Sequence, residues 1–282
     1  MRARRRSRSL AMLVVAVLAA TVLTAGGVTL PATATVLPAT AGGSAAPSRD
    51  KPTIVLVHGA FADSSGWSLV TAGLQAQGYP VPAFANPLRG VQYDSAYLRS
   101  VLDTIPGPIV LVAHSYGGAV ITNASTGDPD VRSLVYIAAY ALDEGETVQQ
   151  ANTLGGGQTD LGAHLIIRPF PGASPGDADA TIDPAFFREL FAQDLPRAVT
   201  AGMAASQRPA ALAAFGTPSG VPGWKSISSW YLVAKQDRTI PPAAERVMAA
   251  RAGATTVEVN SSHVPMLSQP SAVLALITRA AR

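Results

Sequence analysis

Ile109-Val110-Leu111-Val112-Ala113-His114-Ser115-Tyr116-Gly117-Gly118 runs five apolar residues without a polar break into a histidine, a serine and a pair of glycines. An unalternating apolar run of that length reads as a strand buried on both faces. From Gly117 to about Ser125 the pattern turns helical. A serine placed at so sharp a strand-to-helix turn has its hydroxyl lifted clear of the sheet and set at a helix N-terminus, where developing negative charge is favoured. Small residues must flank it so that strand and helix can approach, and Ala113 and Gly117 do. The first of these positions is usually glycine in such turns. A packing turn of small residues has the same composition, so the strand–turn–helix context is what points to a nucleophile at Ser115.

Upstream, Thr53–Val57 is a second buried strand, ending at His58-Gly59. Ser64–Gln77 reads as a helix capped by Asp63 or Ser64, Val81–Phe84 as a short strand and Asp94–Thr104 as a helix. Beyond the serine come a strand at Ser133–Ile137, a strand at Trp230–Ala234, a helix at Pro242–Ala252, a strand at Thr255–Val259 and a helix at Pro270–Ala281. Strands alternating with helices predict a mostly parallel sheet of about six strands with helices on both faces. Residues 141–225 interrupt the alternation with Gly155-Gly156-Gly157, several prolines and short helical pieces at Pro184–Phe191 and Pro196–Ser206. They read as a small helical cap inserted over the site, with Phe186, Phe187 and Phe191 as candidate pocket-lining residues.

The first 46 residues stand apart. Arg2, Arg4, Arg5, Arg6 and Arg8 precede the apolar run Leu10–Ala25, and small-residue stretches such as Ala39-Thr40-Ala41 follow. That order is expected of a secretory signal peptide with a small-residue linker, which implies a secreted protein with its domain over 47–282. Leu10–Leu30 retained as a membrane anchor is the competing reading, disfavoured by the Gly and Thr in its second half and by Pro31 just after it. With five of the 21 basic residues in the leader, the remainder carries 16 against 18 acidic side chains, a net charge of −2. No basic cluster is left to serve nucleic acid or to hold the mature chain stably on a membrane. The absence of cysteine excludes disulfides, a thiol nucleophile and thiolate metal sites. The four histidines, at 58, 114, 164 and 263, lack metal-ligand spacing, so no metal is expected.

A serine nucleophile needs a base, and His263 follows the last predicted strand directly, in Ser262-His263-Val264-Pro265. The acid that orients it is expected at Asp237, after the strand Trp230–Ala234; Asp143, after the preceding strand, is the competitor. The order Ser115, Asp237, His263 favours the former. Two backbone donors are needed for an oxyanion: the N–H of Tyr116, and that of Phe61 or Ala60 in the loop after the first strand.

Taken together, His58-Gly59-Ala60-Phe61 with Trp67, Ala113-His114-Ser115-Tyr116-Gly117-Gly118, Asp237-Arg238-x-Ile240-Pro241 and Ser262-His263-x-Pro265-x-Leu267-Ser268-Gln269-Pro270 resemble the bacterial α/β-hydrolase branch related to plant methyl esterases, hydroxynitrile lyases and pyrethroid-type ester hydrolases. The resemblance spans essentially the whole predicted domain. It implies the α/β-hydrolase fold and transfer of an acyl group from a small ester or lactone to water, with no cofactor. The lyases of this group resemble one another in a lysine beside the catalytic histidine, where this chain has Val264. Perhydrolases usually carry proline in the loop that here reads Ala60-Phe61. Both departures weigh against the non-hydrolytic members of the fold, and a silent ligand-binding module is the remaining alternative.

Overall fold

In the computed structural model, which describes residues 51–282, the chain enters its main sheet at once with β1 (Thr53–Val57). The expected signal peptide and linker, 1–46, lie outside the described residues. Asp63 accepts a hydrogen bond from the Ser65 N–H at 2.8 Å and so caps a single 3-10 turn, Ser64–Trp67, that feeds α1 (Ser68–Ala76). The helix expected from Ser64 is therefore two pieces, because buried Trp67 anchors the join against the core. There follow β2 (Ala83–Phe84), α2 (Val91–Leu102), β3 (Ile109–Ser115), α3 (Gly117–Ala124) and β4 (Val131–Ala139).

Between β4 and the next strand of that sheet lie α4 (Val148–Ala151), β5 (Leu165–Arg168), β6 (Asp179–Ile182), α5 (Pro184–Phe191), α6 (Arg197–Ala205), β7 (Ala210–Ala211) and α7 (Ala213–Gly216). The chain then completes β8 (Ser228–Ala234), α8 (Pro242–Arg251), β9 (Thr255–Val259), α9 (Pro265–Ser268) and α10 (Pro270–Ala280).

The main sheet has six strands in the order β2-β1-β3-β4-β8-β9, and every neighbouring pair is parallel. All seven residues of β3 are buried, which requires cover on both faces of the sheet. Helices α2 and α3 pack together, as do α1 and α10. From β1 the chain steps to one side for β2 and returns to the other side for β3. The carboxyl ends of β1 and β3 therefore flank a topological switch point, the place where a parallel sheet opens a crevice. Gly59–Phe61 and Ser115 sit there.

The insertion differs from the helical cap expected. Alongside α5 and α6 it builds a three-stranded antiparallel sheet, β5-β6-β7. Its strands are at most four residues long, too short for a period of two to stand out between prolines and glycines.

At Gly118 the packing tolerates no side chain: a Cβ there would lie 2.7 Å from the Tyr140 carbonyl oxygen and 2.8 Å from its nitrogen. Gly202, inside α6, has nothing within 4 Å of the same position. Gly118→Ala is expected to destabilise the fold by roughly 1–3 kcal/mol, since backbone must move. Gly202→Ala is expected to stabilise by about 0.5–1 kcal/mol through helix propensity and a less flexible unfolded chain. Thermal melts of the two variants should therefore shift in opposite directions from the parent.

Candidate active site

Three glycines let β1, β3 and β4 close in around Ser115. A Cβ on Gly59 would lie 2.5 Å from the Cβ of Ser115; one on Gly117 would lie 2.7 Å from the Val57 carbonyl oxygen. Gly118 meets β4's end at Tyr140 in the same way. Within this vice Ser115 takes φ +53°, a left-handed conformation that costs a non-glycine residue on the order of 1–2 kcal/mol. The register between β3 and β4 slips at that point, His114 facing Ile137 and Ser115 facing Ala139.

His263 lies in the loop between β9 and α9, fully buried. Its Nδ1 is 2.5 Å from Asp237 Oδ2, while Asp237 Oδ1 accepts from the backbone N–H groups of Thr239 (2.7 Å) and Ile240 (2.9 Å). These bonds fix the ring's orientation and leave Nε2 buried with no partner among the described residues. His114, the residue before the serine, reaches the carbonyl oxygen of His263 with its Nε2 at 2.7 Å, and the two ring centroids are 4.6 Å apart. Because a carbonyl only accepts, His114 donates from Nε2. Asp143 is elsewhere: it is nearly half-exposed and pairs with Lys225 at 3.0 Å. Of the two acids read from the sequence, Asp237 is the one at His263.

The loop after β1 supplies the other wall. Phe61 has φ +61°, and the N–H groups of Ala60, Phe61 and Tyr116 donate to no acceptor among the described residues. His58 anchors this loop with Nδ1 on the Gly59 carbonyl (2.9 Å) and Nε2 accepting from the Asn86 N–H (3.1 Å). Burial lowers its pKa from the ordinary 6.5 to about 4, so it is neutral at pH 7. Tyr116 is held by its hydroxyl, which donates to Asp94 at 2.7 Å.

A cavity of about 110 Å³ opens beside Ser115, somewhat smaller than an engineered cavity that takes up benzene. Its walls are chiefly Phe61, Tyr116, Leu161, Leu165, Leu212 and Phe215. Phe186, Phe187 and Phe191, expected to line it, do not. Residues four apart share a helix face, and on α5 that inward face meets the histidines instead. Phe191 packs edge-on to His263 with centroids 4.8 Å apart, and Phe187 packs on Phe191. Phe186, one position round, is partly exposed and stacks on His164.

Several participants carry no sequence signature. Ser262 N–H donates to Asp194 Oδ2 at 2.9 Å, and the Thr239 hydroxyl donates to the Leu190 carbonyl at 2.9 Å. The end of α5 and the turn after it thus brace the loops that carry His263 and Asp237. Behind Asp237, Glu245 on α8 is fully buried; one oxygen accepts from Ala234 N–H and the other has no partner. Burial, and then the nearby Asp237, hold its carboxyl well above the usual range.

The family model described as "Alpha/beta hydrolase family" matches residues 54–276. The chain is 26% identical to "Methylesterase 17" of Arabidopsis thaliana, over 83% of this chain and 93% of that protein. It is 29% identical to "Pyrethroid hydrolase" of Sphingobium wenxiniae, over 77% of this chain and 83% of that one. Among solved structures, polyneuridine aldehyde esterase superposes with a TM-score of 0.71 at 19% identity, covering 82% of this chain and all of that one, a likeness of fold.

The neutral state of His58 makes stability depend on pH. Below 6.5 the unfolded chain takes up a proton that the folded chain refuses until about pH 4. Stability therefore falls as pH drops through that window, by on the order of 3 kcal/mol, and buried His114 acts in the same direction. Comparing melts at neutral pH and near pH 4, His58→Gln should lose less stability on acidification than the parent. An equal loss in both proteins would remove His58 from this account.

Proposed function

The chain belongs to the alpha/beta hydrolase family, and from that premise we propose that it cleaves carboxylic esters with Ser115 as nucleophile, His263 as base and Asp237 as the orienting acid. The observation that carries the reading is the imidazole of His263, tied by Nδ1 to a buried carboxylate and bare at Nε2, with its backbone carbonyl bonded by His114, the residue before a serine in a strained turn. The relatives named as a methylesterase and a pyrethroid hydrolase support the same class of reaction.

In this mechanism His263 Nε2 takes the hydroxyl proton of Ser115 as Oγ attacks the ester carbonyl. Asp237 stabilises the imidazolium that forms and stays ionised. The tetrahedral oxyanion is held by the N–H of Tyr116 and that of Phe61 or Ala60, groups without an acceptor among the described residues. Collapse expels the alcohol, which takes the proton from His263. Water then attacks the acyl-serine with His263 again as base, and the acid leaves. Lactones follow the same steps with alcohol and acid joined in one product. The apolar cavity supports uncharged, medium-sized esters of apolar acids or alcohols, and export directed by residues 1–46 accompanies this reading.

Hydrolysis of a p-nitrophenyl ester series tests the assignment. Ser115→Ala is expected to lower kcat by roughly 10⁴–10⁶-fold. Asp237→Asn should lower it by about 10⁴-fold, since the imidazole loses the partner that sets its tautomer. Asp143→Asn should stay near the parent. Activity retained in Ser115→Ala would overturn the mechanism, and a large loss in Asp143→Asn would return the acid's role to that residue.

A further inference from the structure

No Asp, Glu, Lys, Arg or His lines the cavity beside Ser115 among the described residues. A substrate carboxylate or ammonium would be desolvated there without a counter-charge, which is costly enough to exclude it. Hydrogen-bonding groups do reach the wall, and most are already engaged. The Thr159 hydroxyl donates to the Arg238 carbonyl at 2.9 Å and accepts from the Leu161 N–H at 3.2 Å. The Thr239 hydroxyl is spent on Leu190, and Gln149 is exposed at the rim.

Asn152, just past α4, is different. The Tyr140 hydroxyl donates to its Oδ1 at 2.9 Å. Burial pushes the Tyr140 hydroxyl's pKa up, so it remains a donor and holds the amide in one orientation. That leaves the two N–H groups of Nδ2 as what the side chain offers to the cavity, with no acceptor among the described residues. A purely apolar group filling the cavity would strip water from these donors and return nothing.

We propose that Asn152 is a specificity-determining residue: it selects neutral esters that carry an acceptor oxygen, such as an ether or a carbonyl, on the group lying in the cavity. The reaction such esters undergo rests on the ester-hydrolase reading above; the binding preference does not depend on turnover. Discrimination against the same ester with a methylene in place of the oxygen should be on the order of 10–100-fold.

The test uses Ser115→Ala protein, which holds substrate without consuming it, titrated by calorimetry. The probes are the p-nitrophenyl esters of hexanoate and of its oxygen-containing isosteres propoxyacetate, 3-ethoxypropanoate and 4-methoxybutanoate, which place the oxygen at successive positions. At least one isostere should bind roughly 10–100-fold more tightly than hexanoate. Adding Asn152→Leu should abolish that preference while hexanoate binds no less tightly. Asn152→Asp, which keeps the shape and replaces the donors with acceptors, should abolish it as well and serves if the leucine variant does not fold. Tyr140→Phe, which frees the amide to turn, should reduce it in part. No preference with Asn152 present, or a preference that survives its replacement, would overturn the proposal. A preference that follows Asn152 in a parent protein unable to hydrolyse any of these esters would uphold this proposal and sink the ester-hydrolase reading.

Discussion

The catalytic end of this molecule depends on how closely three backbones approach one another behind a single serine. Strands β1, β3 and β4 are pinned by parallel pairing along their length, so their carboxyl ends arrive at fixed spacings. Gly59, Gly117 and Gly118 remove the atoms that would hold those ends apart. Ser115 adopts a left-handed backbone in the space that remains, and the surrounding contacts leave it no relaxed alternative. The sheet supplies the rigidity and the glycines supply the proximity. Neither alone would aim the hydroxyl into the crevice.

Electrostatics around the serine follow from burial. His58 and His114 are pushed towards their neutral forms, and the carboxyl of Glu245 is pushed towards its own. Asp237 accepts from two backbone N–H groups and lies against an imidazole nitrogen. Asp237 is the carboxylate that touches the ring of His263. A second anion at Glu245 would compete for that role, and its desolvation prevents it.

The parallel sheet was readable from sequence because its strands are continuous apolar runs separated by helical periodicity, a pattern with few other solutions. The positions of Ser115, Asp237 and His263 were readable because Ser115 closes a strand and the other two stand in the loops just after one, so topology converts chain order into position. The cap was not. Its short strands are too brief for alternation to show, and its walls are built by residues as ordinary as Leu161, Leu212 and Phe215. Three phenylalanines on α5 drew attention as pocket residues, yet helical geometry turned Phe191 onto His263, packed Phe187 on Phe191 and left Phe186 partly exposed against His164. Asn152 and Asp194 carry no local signature because their roles come from partners far along the chain, at Ser115's cavity and at Ser262.

The bracing of both functional loops by the stretch from Leu190 to Asp194 has a bearing on how such a protein can diversify. The same insertion that walls the cavity also holds Thr239 and Ser262, and through them the carboxylate and the imidazole. Grafting a foreign cap onto this sheet would exchange the cavity and sever those braces in one event. Selectivity and alignment are therefore inherited as a unit. Lineages that change diet by small substitutions along the cavity wall keep their alignment, whereas wholesale recombination of the insertion must rebuild it.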